Sequence, residues 1–362
     1  MEEKRFVYET EEYKYYLVPE NEEAEGAFFV NHEKTNNRGG HFGHAMVECP
    51  NGDIIAWYPN CNADNNGHSG RGWMEYKRSS DKGITWTEAK PFPYSKTLWD
   101  LNLGMSIINE KSIVADDGTI ILFNLVCDVA RDALWEPYFE PTYITSTDGG
   151  YTWSEPKVFN EKYGRIYDAH VKDGNIYVLS HLEGKYYISV SSDGGETFKE
   201  RKNTVPAPAR SYYGTMGFLK DGSMIVYTYS ESDETVLNYS ISENRGTTWS
   251  GMKTAKFEKC IRNPQFIELN GAYFIMGRSG SLGSDAIQGH NIIYCSNDGI
   301  RWDSGTYLSM RTAGIGAYSN AIIVGSFNMD VPNRVLYQAS KAYHNHLTNI
   351  HHWWIDAYLV EN

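Results

Sequence analysis

Short apolar runs separated by Asn-Gly or Asp-Gly pairs follow one another along most of the chain. Such a pair between two apolar runs is the strongest short signal for a β-hairpin. Five pairs stand between apolar runs: Asn51-Gly52, Asp117-Gly118, Asp173-Gly174, Asp221-Gly222 and Asn270-Gly271. The strands predicted around the first three are Ala45–Cys49 with Ile54–Tyr58, Ser106–Val114 with Ile120–Val126, and Ala169–Val171 with Ile176–Ser180. Helical periodicity is nearly absent, so the pattern predicts an all-β protein.

A second turn signal, Ser-x-Asp-x-Gly-x-Thr-Trp with close variants, returns five times. Its copies are Ser79–Trp86, Ser146–Trp153, Ser191–Phe198, Ser242–Trp249 and Ser296–Trp302. The Asp or Asn followed by Gly makes a tight turn, and the final aromatic residue buries a large apolar face. Successive Asp or Asn positions are 67, 45, 51 and 54 residues apart, which fits one four-stranded propeller blade per repeat.

A sixth unit lacks this phrase but keeps the strand pattern, in Tyr318–Phe327, Arg334–Ala339 and Trp353–Leu359. Its missing strand is predicted to come from the N-terminus, where Phe6–Thr10 and Tyr13–Val18 have strand composition. This closure removes the exposed sheet edges. The sequence therefore predicts one domain over residues 1–362, a six-bladed β-propeller whose last blade is closed by both chain termini.

The net charge of −13 argues against nucleic acid or an anionic membrane as the main partner. A few arginines in one pocket still bind a small carboxylate, because bidentate pairing is local and bulk charge is screened beyond about 10 Å. The five cysteines are irregularly spaced and predict neither a disulfide framework nor a metal site, and no cofactor is expected. The oligomeric state stays open.

The first residues, from Met1 to Phe6, contain no apolar segment typical of a signal peptide. The chain as it stands is therefore expected in the cytoplasm, or outside the cell if a leader has been removed from it.

The repeated phrase resembles the Asp-box of the sialidase (neuraminidase) superfamily, and the segment His41–Tyr58 resembles the opening of its Asp-box propellers. The resemblance implies a six-bladed propeller with the boxes on outer turns and the functional site where the first strand of each blade begins. It therefore implies a saccharide, and an anionic one, as substrate or ligand. The segments at those positions are His41–His44, Trp99–Asn102, Tyr167–His170, Arg210–Tyr213, Arg262–Pro264 and Tyr318–Asn320.

Sialidases of this superfamily hold the substrate carboxylate with arginines, attack with a tyrosine and use an aspartate as acid/base. Tyr318 in Gly316-Ala317-Tyr318-Ser319 resembles the family tyrosine, and Arg278 resembles a carboxylate-binding arginine. The chain departs from the family pattern at two places. Gly43-His44 replaces the first arginine segment, and Arg262 stands where the glutamate that activates the tyrosine is expected.

Three functions stay open at this point. The leading one is a glycoside hydrolase-like enzyme acting on an acidic or modified sugar. The histidines, tyrosines and arginines also resemble those of propeller polysaccharide lyases, which remove the C5 proton of a uronic acid with a His or Tyr base. A sugar-binding module without turnover is the third, since arginines and tryptophans suffice for binding. The catalytic candidates are Tyr318, Asp100, His44, Asp168, His170 and Tyr213, and the substrate-binding candidates are Arg71, Arg262, Arg278, Arg210, Trp99 and Trp73.

Overall fold

The described part of the chain forms six antiparallel sheets. We number five of them blades 1 to 5 in chain order and call the sheet that contains the last strands of the chain blade 6. A computed structural model describes residues 5–19, 38–40, 43–62, 69–131, 138–278, 290–302, 308–311, 318–325, 333–344 and 347–360. Two strands, β1 (Arg5–Glu9) and β2 (Tyr13–Pro19), precede the first blade. The contacts divide the chain into an early unit, Val30–Glu200 with Tyr343–Ile350, and a late unit, which contains the remainder.

The early unit contains blades 1, 2 and 3. Blade 1 consists of β3 (Arg38–Gly39), β4 (Met46–Glu48), β5 (Ile54–Asn62), β6 (Gly72–Ser79) and β7 (Lys90–Pro91). A helix, α1 (Pro93–Asp100), leads to blade 2, which consists of β8 (Met105–Val114), β9 (Ile120–Asp128), β10 (Thr142–Ser146) and β11 (Lys157–Val158). Blade 3 consists of β12 (Gly164–Lys172), β13 (Asn175–Leu182), β14 (Lys185–Ser191) and β15 (Lys199–Glu200).

The late unit contains blades 4, 5 and most of blade 6. Blade 4 consists of β16 (Ser211–Phe218), β17 (Met224–Ser230), β18 (Val236–Ser242) and β19 (Lys253–Lys256). Blade 5 consists of β20 (Arg262–Leu269), β21 (Ala272–Arg278), β22 (His290–Ser296) and β23 (Leu308–Arg311). Blade 6 adds β24 (Ser319–Val324), β25 (Arg334–His344) and β26 (Leu347–Leu359).

The N-terminal segments complete blade 6, whose strand order is β1-β2-β26-β25-β24. Strand β2 pairs with the last strand from Tyr13 opposite Leu359 to Pro19 opposite Trp353. Tyr15 is fully buried and its hydroxyl donates to the Leu269 carbonyl at 2.9 Å. The predicted closure of the last blade by both termini is confirmed.

Each Asp-box is a turn held by its own side chains, as the box of blade 3 illustrates. Ser191 Oγ donates to Asp193 Oδ1 at 2.6 Å, and the Gly195 backbone donates to Ser191 Oγ at 2.9 Å. The Thr197 hydroxyl donates to the other carboxylate oxygen at 2.6 Å. These hydrogen bonds hold the pKa of Asp193 well below its ordinary value. The final aromatic residue, Phe198, packs with the core rings of the blade before it.

The first strands of blades 2 to 5 each carry a β-bulge near the place where the strand begins or in its middle. The extra residues at these bulges are Glu110 in β8, Tyr167 in β12 and Tyr213 in β16. In β20, Asn263 and Pro264 together stand opposite one residue of β21. A bulge re-aims a side chain and is common next to functional sites. The bulges therefore decide which side chains leave the regular alternation of these strands.

One predicted strand start is wrong, because Trp99–Asn102 does not open the first strand of blade 2. Trp99 and Asp100 instead end helix α1, where Pro93 occupies a first-turn position that tolerates its missing N–H. The helix ends at Asp100, and Asn102 two residues later has a φ of 51°, in the left-handed region that Asn tolerates. No helix within the described ranges is long and apolar enough to cross a membrane.

Candidate functional site

Two tyrosines of the late unit meet through their hydroxyl groups. Tyr213, on the bulge of β16, and Tyr318, just before β24, have their phenol oxygens 2.7 Å apart. Their rings are perpendicular, with centroids 5.4 Å apart. The backbone of Tyr318 is fixed by hydrogen bonds to and from Ser340, including its N–H to Ser340 Oγ at 3.0 Å. Both tyrosines are half-buried.

A buried carboxylate lies beside this pair. Glu234 is only 3% exposed, and its Oε1 accepts a hydrogen bond of 2.7 Å from the hydroxyl of Tyr229. The same oxygen lies 3.4 Å from Arg262 Nε. The Arg262 guanidinium lies 5.0 Å from the centroid of the Tyr229 ring, and that ring is 6.0 Å from the ring of Tyr213. Glu234 therefore contacts both Tyr229 and Arg262, and the ring of Tyr229 connects them to Tyr213.

A second arginine adjoins the first. Arg278, at the end of β21, is the register partner of Arg262 and is 5% exposed. Burial raises the pKa of Tyr229, while the charges of Arg262 and Arg278 act in the opposite direction. Among the described residues, the group thus contains two neighbouring arginines, Arg262 and Arg278, of which Arg262 lies beside the carboxylate of Glu234. This composition suits a site for an anion.

Backbone strain concentrates at the same place. Among the described residues, most non-glycine positions with positive φ lie in tight turns. Three others lie at the beginnings of the first strands of blades 4 and 5: Arg210 (φ 61°), Tyr213 (φ 55°) and Asn263 (φ 50°). Such conformations cost about 1–3 kcal/mol each and cluster at functional sites. Arg210 is exposed at the edge of this site.

Two residues of this site, Tyr229 and Glu234, carry no sequence signal. The chain has Arg262 where the sialidase pattern has its glutamate, and the structure brings in Glu234 from the loop that follows β17. That loop, Glu231-Ser232-Asp233-Glu234, reads as an ordinary polar turn. Only the pairing of β16, β17 and β20 shows which of its carboxylates is buried.

In the early unit, Asp168 and His170 lie together in β12 with a lysine from β8. Asp168 is 1% exposed, 2.8 Å from Lys111 Nζ and 3.3 Å from His170 Nε2. Burial alone would raise the pKa of Asp168, but Lys111 and His170 hold it well below its ordinary value. The carboxylate therefore stays charged at neutral pH and is suited to pairing rather than to proton donation.

A second ion pair of the early unit joins blades 2 and 3. Arg165 donates to both carboxylate oxygens of Glu110, at 3.0 and 2.6 Å. Its guanidinium lies between two rings, 5.8 Å from that of Tyr138 and 5.3 Å from that of Tyr167. Both partners of the ion pair have side chains less than 10% exposed. Arg165 was not among the sequence candidates, because nothing in Gly164-Arg165-Ile166 separates it from a surface arginine.

His181 adjoins this pair as the register partner of Arg165. Burial and then the charge of Arg165 lower its pKa to about 4. Its ring centroid lies 4.6 Å from that of Tyr186 and 6.0 Å from that of Tyr167. The imidazole is therefore neutral at neutral pH.

The other sequence candidates of the early unit are dispersed. Asp100 has an exposed side chain at the end of α1 and forms an ion pair with Lys96 one turn earlier. Lys96 also lies 4.9 Å from the ring centroid of Trp73. Asp100 therefore lies on the surface of a helix and not at the start of a strand, where the sequence predicted it.

Three further candidates of this unit lie elsewhere. Trp99 is half-buried on α1, Arg71 donates to the Arg131 carbonyl at 3.2 Å, and His44 is 3% exposed. His41, which opens the predicted first segment, and part of the polar loop before Arg71 lie outside the described residues.

The family model described as BNR repeat-like domain matches residues 30–259. The chain belongs to the BNR repeat-like family. No curated protein is found to match it. Structural comparison shows the fold, a six-bladed β-propeller like that of a solved sialidase, and confirms the fold predicted from the sequence. The family model confirms the predicted BNR-type repeats.

Among the solved structures similar to this BNR repeat-like protein, a protein of unknown function from Dyadobacter fermentans is 14% identical, with 90% of this chain and 96% of that chain covered and a TM-score of 0.65. A variant of the NanB sialidase from Streptococcus pneumoniae is 13% identical, with 90% and 70% covered and a TM-score of 0.65. The intramolecular trans-sialidase from Ruminococcus gnavus, in complex with oseltamivir carboxylate, is 11% identical, with 92% and 98% covered and a TM-score of 0.62.

Proposed function

We propose that this BNR repeat-like protein is a glycoside hydrolase that cleaves the bond to an anionic sugar at the late-unit site. The observation that supports it most is the contact of 2.7 Å between the hydroxyls of Tyr213 and Tyr318, with Arg262 and Arg278 close by. Tyr318 is the nucleophile in this proposal and the arginines hold the carboxylate of the sugar. The sialidases among the similar structures support the same substrate class.

A tyrosine suits attack on an anionic sugar, because a neutral phenol is not repelled by the substrate carboxylate as a charged carboxylate nucleophile is. As the Tyr318 oxygen bonds to the anomeric carbon, the glycosidic C–O bond breaks, the phenol proton passes to water, and the leaving oxygen takes up a proton from water. Tyr213 supports this step by donating its hydroxyl hydrogen to the Tyr318 oxygen, where negative charge develops. The two arginines stabilise the same charge electrostatically. Water then displaces the sugar from the covalent intermediate.

Glu234 has a positioning role in this scheme. Its carboxylate accepts from Tyr229 and lies 3.4 Å from Arg262 Nε, which fixes the guanidinium plane. A fixed guanidinium offers its remaining N–H groups to the sugar carboxylate in a defined direction. The residue that activates the tyrosine in the sialidase pattern is thus replaced by a second tyrosine, Tyr213.

The test is a turnover screen with sialosides, uronic-acid oligosaccharides and neutral glycosides. Reducing ends report hydrolysis, and ultraviolet absorbance of an unsaturated uronide reports elimination. We expect reducing ends from an anionic glycoside without new absorbance, and a loss of about 100-fold or more in Tyr318→Phe. Tyr151→Phe is the matched control, since Tyr151 is exposed on the blade 2 Asp-box.

Other outcomes of the screen reject the proposal. New ultraviolet absorbance favours the lyase. Binding of an anionic sugar without turnover favours a sugar-binding module. Hydrolysis that persists in Tyr318→Phe removes the nucleophile role.

A further inference from the structure

An exposed arginine lies close in the chain to the tyrosine pair. Arg210 stands three residues before Tyr213, so their Cα atoms are at most about 11 Å apart. Its side chain is exposed, and no described residue forms a hydrogen bond or an ion pair with it. Arg165 and Arg334, by contrast, are each held by a carboxylate. Within the described part of the chain, the guanidinium of Arg210 is therefore a cation without a partner.

The acidic side chains near Arg210 do not neutralise it. Ser211 pairs with Ser230, which makes Glu231, the residue after Ser230, a neighbour of Arg210 across the two strands. Glu231 is exposed and forms no ion pair with any described residue. The late-unit site thus keeps a positive charge at Arg210 that none of its described carboxylates takes up.

The backbone of Arg210 is strained. Its φ of 61° lies in the left-handed region, which is costly for a residue with a Cβ and is readily adopted by glycine. The next residue, Ser211, is buried, and its hydroxyl donates to the Tyr229 carbonyl at 2.7 Å. Because strained backbone of this kind is common at ligand sites and a glycine would form the same turn without strain, the conformation favours a role for the arginine side chain.

We infer that Arg210 binds a second anionic group of the substrate, beyond the one that Arg262 and Arg278 hold. The inference rests on the proposed function for that first contact. A guanidinium binds a carboxylate or a sulfate through two parallel N–H···O hydrogen bonds. The second anionic group belongs to the neighbouring sugar or to another position of the same ring. The substrate class is therefore a glycan with two anionic groups, close enough together to contact the arginines at the same time.

The expected effect is modest, because Arg210 is exposed. A charge pair at such a position changes an affinity by up to about 5-fold. We expect a second charge to strengthen binding about 3- to 5-fold at low ionic strength, and this preference to fall as salt screens the contact.

The experiment is an NMR titration of the full chain with matched probes that differ by one negative charge. The probes are sialosides with one and two sialic acids, uronic acid disaccharides with one and two carboxylates, and glucuronic acid with and without a sulfate group. Titrations use the wild type and, where it cleaves a probe, the Tyr318→Phe protein as the common background. We expect at least one doubly charged probe to bind about 3- to 5-fold more tightly than its partner.

Four variants test the role of Arg210 in this preference. Arg210→Met removes the charge, and Arg210→Gly removes it in a residue that suits the backbone and so keeps the test decisive if Arg210→Met fails to fold. Both are expected to lose the preference and to bind singly charged probes like the wild type. Arg210→Lys, which keeps the charge, retains part of the preference. Arg245→Met is the matched control, since Arg245 has a similar φ of 57° on the Asp-box of blade 4, and it retains the whole preference.

The inference is overturned if the members of every pair bind equally, if the preference persists in both Arg210→Met and Arg210→Gly, or if these variants weaken both members alike. An Arg210 effect confined to sulfated glucuronic acid supports it with the second anion on the same ring. An effect confined to the disaccharides supports it with the anion on the neighbouring sugar.

Failures of the inference and of the proposed function have different signatures. A preference that depends on Arg210, without turnover of any glycoside, supports the inference and rejects the hydrolysis. Turnover of an anionic glycoside to which a second charge adds nothing does the reverse. If no anionic sugar binds, both are rejected.

Discussion

The phenol pair of Tyr213 and Tyr318 shows what a single residue can and cannot reveal in the sequence. Tyr318 is predicted from the short motif around it, and Tyr213 from its place before a first strand. Their contact depends on the bulge that gives Tyr213 a φ of 55°, and no local sequence pattern predicts that bulge. The burial of Glu234 is harder to predict, because it depends on the packing of the strands around its loop rather than on the local sequence.

Glu234 is the residue whose removal we expect to weaken the late-unit site most. Glu234→Gln leaves Arg262 without its charged partner at 3.4 Å and weakens the hydrogen bond from Tyr229. A broken buried hydrogen bond to a charged group costs about 1–3 kcal/mol in the free energy of unfolding. Urea denaturation of wild type and Glu234→Gln measures this loss in the free energy of unfolding. Glu231→Gln, an exposed glutamate of the same loop, is the control, and equal stabilities of the two variants contradict the buried role of Glu234.

The lowered pKa of His181 predicts a pH dependence of stability. Burial and Arg165 lower the folded-state pKa to about 4 from the ordinary 6.5, and the rings of Tyr167 and Tyr186 lie 6.0 and 4.6 Å from the imidazole. Between pH 6.5 and 4 the unfolded chain binds a proton at this histidine that the folded chain does not. The free energy of unfolding therefore falls as the pH falls through this window.

His181→Gln is expected to flatten this part of the pH profile. Urea denaturation at pH 7.5, 6.5, 5.5 and 4.5 gives the comparison, and the other titrating groups cancel between the two proteins. Parallel profiles for wild type and variant would show that His181 titrates in the same way in the folded and unfolded chains.

At the scale of elements, turns were easier to predict than side-chain neighbours. The Asn-Gly and Asp-Gly pairs and the Asp-boxes determine their own backbone, since the hydrogen bonds that close each turn lie within a few residues. The strands Ile54–Asn62, Ile120–Asp128 and Asn175–Leu182 begin within one residue of the predicted starts and run two to four residues beyond the predicted ends. Helix α1 escaped prediction because eight residues give too short a periodic signal and its Pro93 looks like a breaker.

The Asp-box glycine of blade 3 offers a test of how these turns support the packing between blades. Gly195 has a φ of 93°, and an added Cβ would lie 2.2 Å from Ile121 Cδ1 in blade 2. Gly184 has a φ of 79° with nothing within 4 Å of such a Cβ. Gly195→Ala and Gly184→Ala therefore share the cost of a left-handed alanine, and Gly195→Ala adds an overpacking cost of about 1–3 kcal/mol.

Thermal and urea unfolding of the two alanine variants measure the difference between their free energies of unfolding, and Gly195→Ala is expected to be the less stable. A Gly195→Ala protein as stable as the Gly184→Ala protein would mean that the box does not pack against Ile121 in solution.

For the whole molecule, the period of the repeat predicted five blades and the strand pattern near the C-terminus predicted the sixth. The strand composition of the N-terminal segments predicted that they close this last blade. The prediction of one domain over residues 1–362 stays a prediction, since the contacts divide the chain into two units. The function was less accessible, because the sialidase-like pattern breaks at His44 and Arg262. Whether those breaks abolish or redirect the chemistry depends on residues such as Tyr213 and Glu234, which come together only in the fold.

The central claim is that Tyr318 forms a covalent bond with an anionic sugar. The most direct measurement is mass spectrometry of the protein after incubation with the fluorinated analogue of the anionic glycoside that it hydrolyses, carrying fluoride as the leaving group. The account predicts that a peptide containing Tyr318 gains the mass of one fluorinated sugar, that Tyr151→Phe does the same, and that Tyr318→Phe does not. A sugar attached to any other residue, or hydrolysis that continues with no covalent adduct, would contradict it.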